Sequence, residues 1–319
     1  MTRYVIRRVL LGIVLLFVVS ALTFILFRVL PTGNPAVLRA GRDPQPHLIK
    51  EIERVLGLNH SLPVQFWEYV KNIFLHFNFG YSYYSQESVV QLIKERLPAT
   101  ASLAIGAGAL WIVGGLLVGV VSALKRHTIW DRLSMGTALV LVSAPEFWLG
   151  LLALFFFASD IGKFKIFPGS GSYVGLTDDP WKWFTSLIMP WCVLASGSAA
   201  IFARLMRGSL IEVMDEDYIR TARAKGLPER RVIRQGVRSS INPIVTLLAL
   251  EVGVLLGGTV LVEAVFNIPG VGRLAYDSII HADFSVIQGT VLLASMFIII
   301  ANIVADIAYA YLDPRVTYT

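Results

Sequence analysis

Six apolar stretches dominate this chain, near residues 9–29, 99–124, 133–158, 186–202, 241–262 and 286–312. Each is close to the ~20 residues that a helix needs to cross ~30 Å of hydrocarbon. Composition agrees: 55% of residues are apolar and 16% charged, where an average soluble domain is nearer a quarter charged. Mean hydropathy is +0.65. These values exclude an ordinary soluble enzyme, and also a disordered chain, which needs low hydrophobicity and high charge. The expected fold class is an all-α membrane protein with six transmembrane helices. The net charge of +6 does not imply nucleic acid, because no basic face on a soluble domain accompanies it. The single cysteine, Cys192, has no partner within the chain for a disulfide and reads as a small buried hydrophobe.

Arg3, Arg7 and Arg8 precede the first stretch as they would in a secretory signal. Its apolar run is longer than the usual ~7–15 residues and no small-x-small cleavage site follows, so a retained signal anchor is expected. With the N-terminus inside, the inner segments 1–8, 125–132, 203–240 and 313–319 hold 16 Lys and Arg. The outer segments 31–98, 160–185 and 263–285 hold 11 in nearly twice the length. Arg28 can snorkel from the outer end of the first span. Net charge is then +9 inside and −1 outside, which predicts an N-in, C-in topology. The organisation reads as a first span at 1–30, an outer cap at 31–98 and a core at 99–319 that includes the inner loop 203–240. Within the cap, helices are expected at about Pro46–Leu56 and Val64–Phe77, the latter from apolar and aromatic residues at helical spacing.

The inner loop carries the most information. Asp215, Glu216 and Asp217 stand where a helix N-terminus favours negative charge, and Arg220, Arg223 and Lys225 follow toward its C-terminus. Gly226 suits the left-handed position after a helix, and Pro228 suits the first turn of the next. Ala222, Ala224 and Gly226 have little side chain, so another surface can approach. The loop is either a solvated charged connection or a plug for the groove of a soluble partner.

Asp217-Tyr218-Ile219-Arg220-Thr221-Ala222-Arg223-Ala224-Lys225-Gly226-Leu227 closely resembles the so-called EAA loop of ABC-transporter permeases. The resemblance is to the dipeptide/oligopeptide importer family, in the permease encoded first of the usual pair. It extends over nearly the whole chain: Tyr4–Arg8, Pro31–Pro35, Leu97-Pro98-Ala99-Thr100, Ser143-Ala144-Pro145 with Phe147-Trp148, Glu263–Arg273, and Asn302, Asp306 and Leu312–Arg315. Arg220 stands where many permeases have Glu, as is usual in the peptide subfamily. The resemblance implies an inner-membrane subunit that pairs with a second permease and takes cargo from an extracytoplasmic substrate-binding protein. Each permease would dock its loop, here Asp217 to Leu227, into one of two ATPase subunits. The cargo implied is a short peptide; similar machines import nickel chelates, glutathione or oligosaccharides.

No G-x-x-x-x-G-K-[ST] phosphate loop is present, so ATP and Mg are expected on the partner ATPases and no cofactor or metal on this chain. The nearest glycine-rich stretch, Gly169-Ser170-Gly171, falls outside, and the five histidines are scattered. A membrane-embedded enzyme would need a nucleophile–base or metal constellation. A self-sufficient secondary transporter usually carries an internal repeat. Neither pattern is visible, and a membrane scaffold would leave the docking loop unexplained.

Three carboxylates fall within the spans, where by default they face a bundle interior or a water-filled path. Asp306 reads as structural. Glu146, after the helix-kinking Pro145, and Glu251, beside Gly253, Gly257 and Gly258, are each candidates to line the path, with a structural role as the alternative. Glu146 departs from the small or apolar residue common there in the family. The element at Phe266, Pro269 and Gly270 is either a plain outer turn or part of an outer gate, since non-helical backbone at membrane depth must be buried in protein or line a cavity.

Overall fold

The computed structural model describes residues 2–29, 36–37, 45–55, 59–82 and 84–312. The motif residues Pro31–Pro35 and Asp313–Arg315 lie outside them, and the side chains of Arg28 and Asp306 are also outside the description. Among the described residues the chain is helical and has no strand, only isolated bridges. Among the described residues, four helices are long and apolar enough to cross a membrane: Val5–Phe27, Val89–Leu124, Pro180–Met214 and Phe284–Val304. A fifth span results if Ile129–Ser143 and Glu146–Phe157, bent by 111° at their junction, are taken together.

In chain order, α1 (Thr2–Phe24) runs into a π turn, Ile25–Val29. Then come α2 (Pro46–Val55) and α3 (Leu62–His76). α4 (Val89–Leu124) precedes the broken pair, α5 (Ile129–Ser143) and α6 (Glu146–Phe157). α7 (Pro180–Met214), α8 (Asp217–Ala224), α9 (Glu229–Ser240) and α10 (Asn242–Phe266) follow. The chain continues through α11 (Val271–Ile280) and α12 (Phe284–Leu312).

The chain divides into two compact units, one built mainly of residues 98–273 and the other of 2–97 with 274–300. The first is organised on α7. Its buried face offers Leu187, Leu194, Phe202, Met206 and Leu210 to Leu103 and Trp111 of α4 and to Val262 and Phe266 of α10. Glycines let α4 and α7 approach closely: a Cβ on Gly115 would stand 2.8 Å from the Ala199 carbonyl oxygen, and one on Gly119 would stand 2.6 Å from that of Ala203. Bare backbone at such crossings is how helices gain packing contact in a membrane, where the hydrophobic effect between them is weak. Trp191 donates its indole N–H to the Ser102 carbonyl at 3.0 Å, and Trp183 donates to the Ser102 hydroxyl at 3.1 Å.

In the second unit, Phe66 and Tyr69 of α3 pack on Phe17 and Phe24 of α1. Val89, Leu92 and Ile93 pack with Leu274 and Val286. The rest of α1 exposes Leu10, Ile13, Val14 and Leu22, an apolar surface of the kind that lipid or a partner covers.

Two helices outrun the apolar stretches that announce them. α4 starts at Val89 rather than near 99, because Lys94, Glu95 and Arg96 interrupt the hydropathy without interrupting the helix. Pro98 is therefore inside α4 rather than at its start. α7 starts at Pro180, where Asp179 caps it by accepting from the Trp181 and Lys182 amides, both at 3.1 Å. Cys192 corrects its expected burial: it is exposed, on a different side of α7 from the buried Trp191 and Val193.

Candidate functional site

The inner loop folds as its capping residues dictate. Asp217 opens α8 and Arg223 falls in its last turn. Gly226 takes φ +76°, the left-handed conformation that a glycine adopts without strain. Pro228 then takes the N-cap position of α9. A two-point ion pair closes the turn: Arg223 Nη2 donates to Glu229 Oε1 at 2.9 Å and Nε donates to Oε2 at 3.3 Å. The bond from Arg223 holds the Glu229 carboxyl below its ordinary range and raises the Arg223 guanidinium.

α8 has two faces. Ile219 and Ala222 are buried against Val232 of α9, with Val213, Met214 and Leu227 around them. The small side chain of Ala222 thus admits the chain's own next helix. Asp217, Tyr218, Thr221, Ala224 and Lys225 are exposed on the remaining surface, as are Arg220 and Arg223. Tyr218 keeps 41% of its area accessible, although Ile219 beside it is fully buried.

The span carboxylates come together in part. The α5–α6 break falls at Ala144-Pro145, so Glu146 is the first residue of α6 and is half-buried. Glu251 of α10 is close enough to act on it electrostatically, and Glu251 Oε2 accepts from Ser198 Oγ of α7 at 2.8 Å. Two carboxylates are therefore within electrostatic reach of each other at the α5–α6 break.

Phe266, Pro269 and Gly270 belong to a different cluster, centred on Glu263. This residue is fully buried. Its Oε1 accepts from Thr100 Oγ1 at 2.7 Å and its Oε2 from the Arg273 amide at 2.9 Å. The same Thr100 oxygen accepts from the Val271 amide at 2.8 Å. Glu263 and Thr100 thus satisfy the first turn of α11, where free N–H groups and the helix dipole favour a carboxylate. Asn267 ends α10 in the left-handed conformation, φ 56°, and the Ile268 amide donates back to the Glu263 carbonyl at 2.9 Å. Gly270 is required by space, since a Cβ there would fall on the Glu263 carboxylate. Phe266 is buried, Pro269 is exposed, and the Phe266 carbonyl accepts from the Gly171 amide at 2.9 Å. The element is a tight turn between two helices, with little irregular backbone.

Two functional-looking groups escaped the sequence reading. One is Glu263, which stood there only as part of a family-like run. The other is the pair of buried Asp131 and half-buried Arg207 at the other end of α4 and α7. Arg207 Nε donates to Asp131 Oδ1 at 2.7 Å and Nη2 to Oδ2 at 2.9 Å. Each pairing joins residues distant in sequence, so no local pattern announces it.

Residues 115–318 match the family described as the binding-protein-dependent transport system inner membrane component, and residues 1–104 match its N-terminal region. The chain is 40% identical over its full length, and that of the relative, to a putative peptide transport system permease protein of Brucella abortus. A similarly named protein of Brucella suis is also 40% identical over the full length of both. The glutathione transport system permease protein GsiC of Escherichia coli is 39% identical, again over the whole of both chains.

Proposed function

The chain belongs to the family of binding-protein-dependent transport system inner membrane components, and from that membership we propose that its cargo is short peptides. It is a multi-pass ABC-transporter permease, and ATP is hydrolysed on separate subunits. Such a permease works with an ATPase and a substrate-binding protein. The finer reading has it cross the membrane six times, N-in and C-in, with α10 and the α5–α6 pair each counted as a span and residues 31–98 as the outer cap. It pairs with a second permease and two ATPase subunits, and these carry the ATP and Mg. Glu146 and Glu251 line the path, and the turn at Phe266, Pro269 and Gly270 shapes its outer mouth.

The observation that carries the coupling role is the division of α8. Ile219 and Ala222 are committed to α9, which fixes the helix to the chain. Asp217, Tyr218, Thr221, Ala224 and Lys225 remain on an exposed face suited to an ATPase groove. The names of the Brucella relatives support peptide cargo. A second reading changes only the cargo: glutathione, as the name of the Escherichia coli relative suggests.

The test is a pulldown of the tagged chain from mild detergent, followed by uptake with the recovered partners in liposomes. Recovery of a second permease, ATPase subunits and a binding protein, with saturable uptake of di- or oligopeptides, supports the reading. Uptake of glutathione alone transfers the assignment to the second cargo. Recovery of the well-folded chain by itself overturns the docking role.

A further inference from the structure

The carboxylate of Asp131 is almost wholly buried, at 4% exposure, and four hydrogen bonds converge on it. Oδ1 accepts from the Ser122 hydroxyl and Arg207 Nε, and Oδ2 accepts from the His127 amide and Arg207 Nη2. Ser122 lies in the last turn of α4, Asp131 in the first turn of α5 and Arg207 about two turns before the end of α7. His127 is held at φ 65°, a conformation uncommon for a residue with a Cβ, and its amide is one of the four donors. A second ion pair, Arg126 to Asp215 at 4.0 Å, joins the same α4–α5 turn to the residue that ends α7. Two residues further on, α8 begins.

We propose that the Asp131–Arg207 pair is the positioning element that makes α7, the α4–α5 turn and α5 move as one body when α8 is displaced. This deepens the docking role proposed for α8 and rests on it. α7 leads directly into α8, and α5 is the half of the broken span that ends at the break before Glu146. A displacement applied at α8 therefore reaches that break through Arg207 and Asp131. A bidentate guanidinium–carboxylate pair with its carboxylate buried suits this role because its geometry is fixed in direction as well as distance. A lysine carries the charge without the fork and transmits no such orientation. Simple helix anchoring would require only apolar packing, which is often as stabilising as a buried ion pair.

The experiment uses the assembled importer in liposomes, with peptide uptake and ATP hydrolysis measured on the same preparation. Arg207→Lys is expected to assemble, to melt near the wild-type temperature and to keep hydrolysis stimulated by the binding protein. The ATP spent per peptide moved is expected to rise by about 5–150-fold, the range of a typical coupling energy. If that variant does not assemble, the double variant Asp131→Asn/Arg207→Gln leaves no lone buried charge and is measured instead. An unchanged ratio, whether uptake is normal or falls together with hydrolysis and yield, overturns the proposal and leaves the pair structural. Tyr218→Ala separates this outcome from failure of the docking role. If Tyr218→Ala leaves ATPase binding and stimulation intact, docking through α8 is wrong and this proposal falls with it. If Tyr218→Ala abolishes them while Arg207→Lys leaves the ratio unchanged, only the Asp131–Arg207 proposal falls.

Discussion

Thr100 Oγ1 donates to Glu263 Oε1 at 2.7 Å across 163 residues of sequence and accepts from the Val271 amide at 2.8 Å. One hydroxyl thus serves both the carboxylate that caps α11 and the first amide of that helix. Thr100→Val preserves the shape and removes both bonds. The loss takes the acceptor from a buried amide and one donor from a buried carboxylate, a penalty of about 2 kcal/mol. Gly270→Ala attacks the same cluster sterically, because its Cβ would overlap the Glu263 carboxylate. Both variants are expected to lower the melting temperature of the detergent-solubilised protein. A wild-type melting curve for both would mean that the cluster contributes nothing to stability.

The two faces of α8 predict two different kinds of failure. Ala222→Glu places a charge between α8 and α9, where Ile219 and Val232 are fully buried. It is expected to loosen the loop itself, seen as faster amide exchange over 217–231. Tyr218→Ala removes an exposed ring and is expected to leave exchange unchanged while abolishing stimulated ATP hydrolysis. Gly226→Asp must hold an aspartate at φ +76°; the strain is about 1 kcal/mol, and the added charge faces open space. Transport is expected to fail with membrane insertion intact. If all three variants take up peptide normally, the loop is a passive connection.

The Arg223–Glu229 pair gives the loop a pH dependence of known sign. The bond from Arg223 holds the Glu229 carboxyl below its ordinary value in the folded loop. The stabilisation is therefore fully present above the ordinary glutamate value, about 4.3, and is lost as pH falls through the lowered one. Both side chains are exposed, so the effect is small and weakens with salt. Amide exchange at 223–231, corrected for intrinsic pH dependence, is expected to accelerate in acid for the wild type. Glu229→Gln should begin faster at neutral pH and lose that dependence. Identical profiles would show that the pair does not hold the turn.

The loop was legible in sequence because its determinants are local. Asp217, Arg223, Gly226 and Pro228 each act within one helical turn, and α8, its break and α9 stand where those residues put them. The side of α8 that faces inward was not legible, because it depends on Val232 in the next helix. The start of α4 was hidden by Lys94, Glu95 and Arg96, which a hydropathy window reads as a boundary although all three are helical. Glu263 and Thr100, like Asp131 and Arg207, acquire meaning only when distant helices pack. Their charges could be counted but not paired. Cys192 was misplaced for a related reason: an apolar stretch in a membrane helix does not reveal which of its sides meets protein.

Glu146 and Glu251 set the last expectation. They stand within electrostatic reach at the α5–α6 break, and Ser198 ties Glu251 to α7. Two like charges in one region repel each other, and a cation placed between them relieves that repulsion. The ammonium terminus of a peptide is such a cation. Glu146→Gln is expected to lower kcat/KM for peptides with a free amino terminus by about ten-fold, the equivalent of 1.4 kcal/mol. N-acetylated peptides, which lack the charge, should be affected little. Ser198→Ala alters the hydrogen bonding of Glu251 without altering the charges, and should change both substrates equally. If Glu146→Gln lowers only the amount of protein in the membrane, with kcat/KM per assembled complex unchanged, Glu146 caps α6 and does not meet cargo.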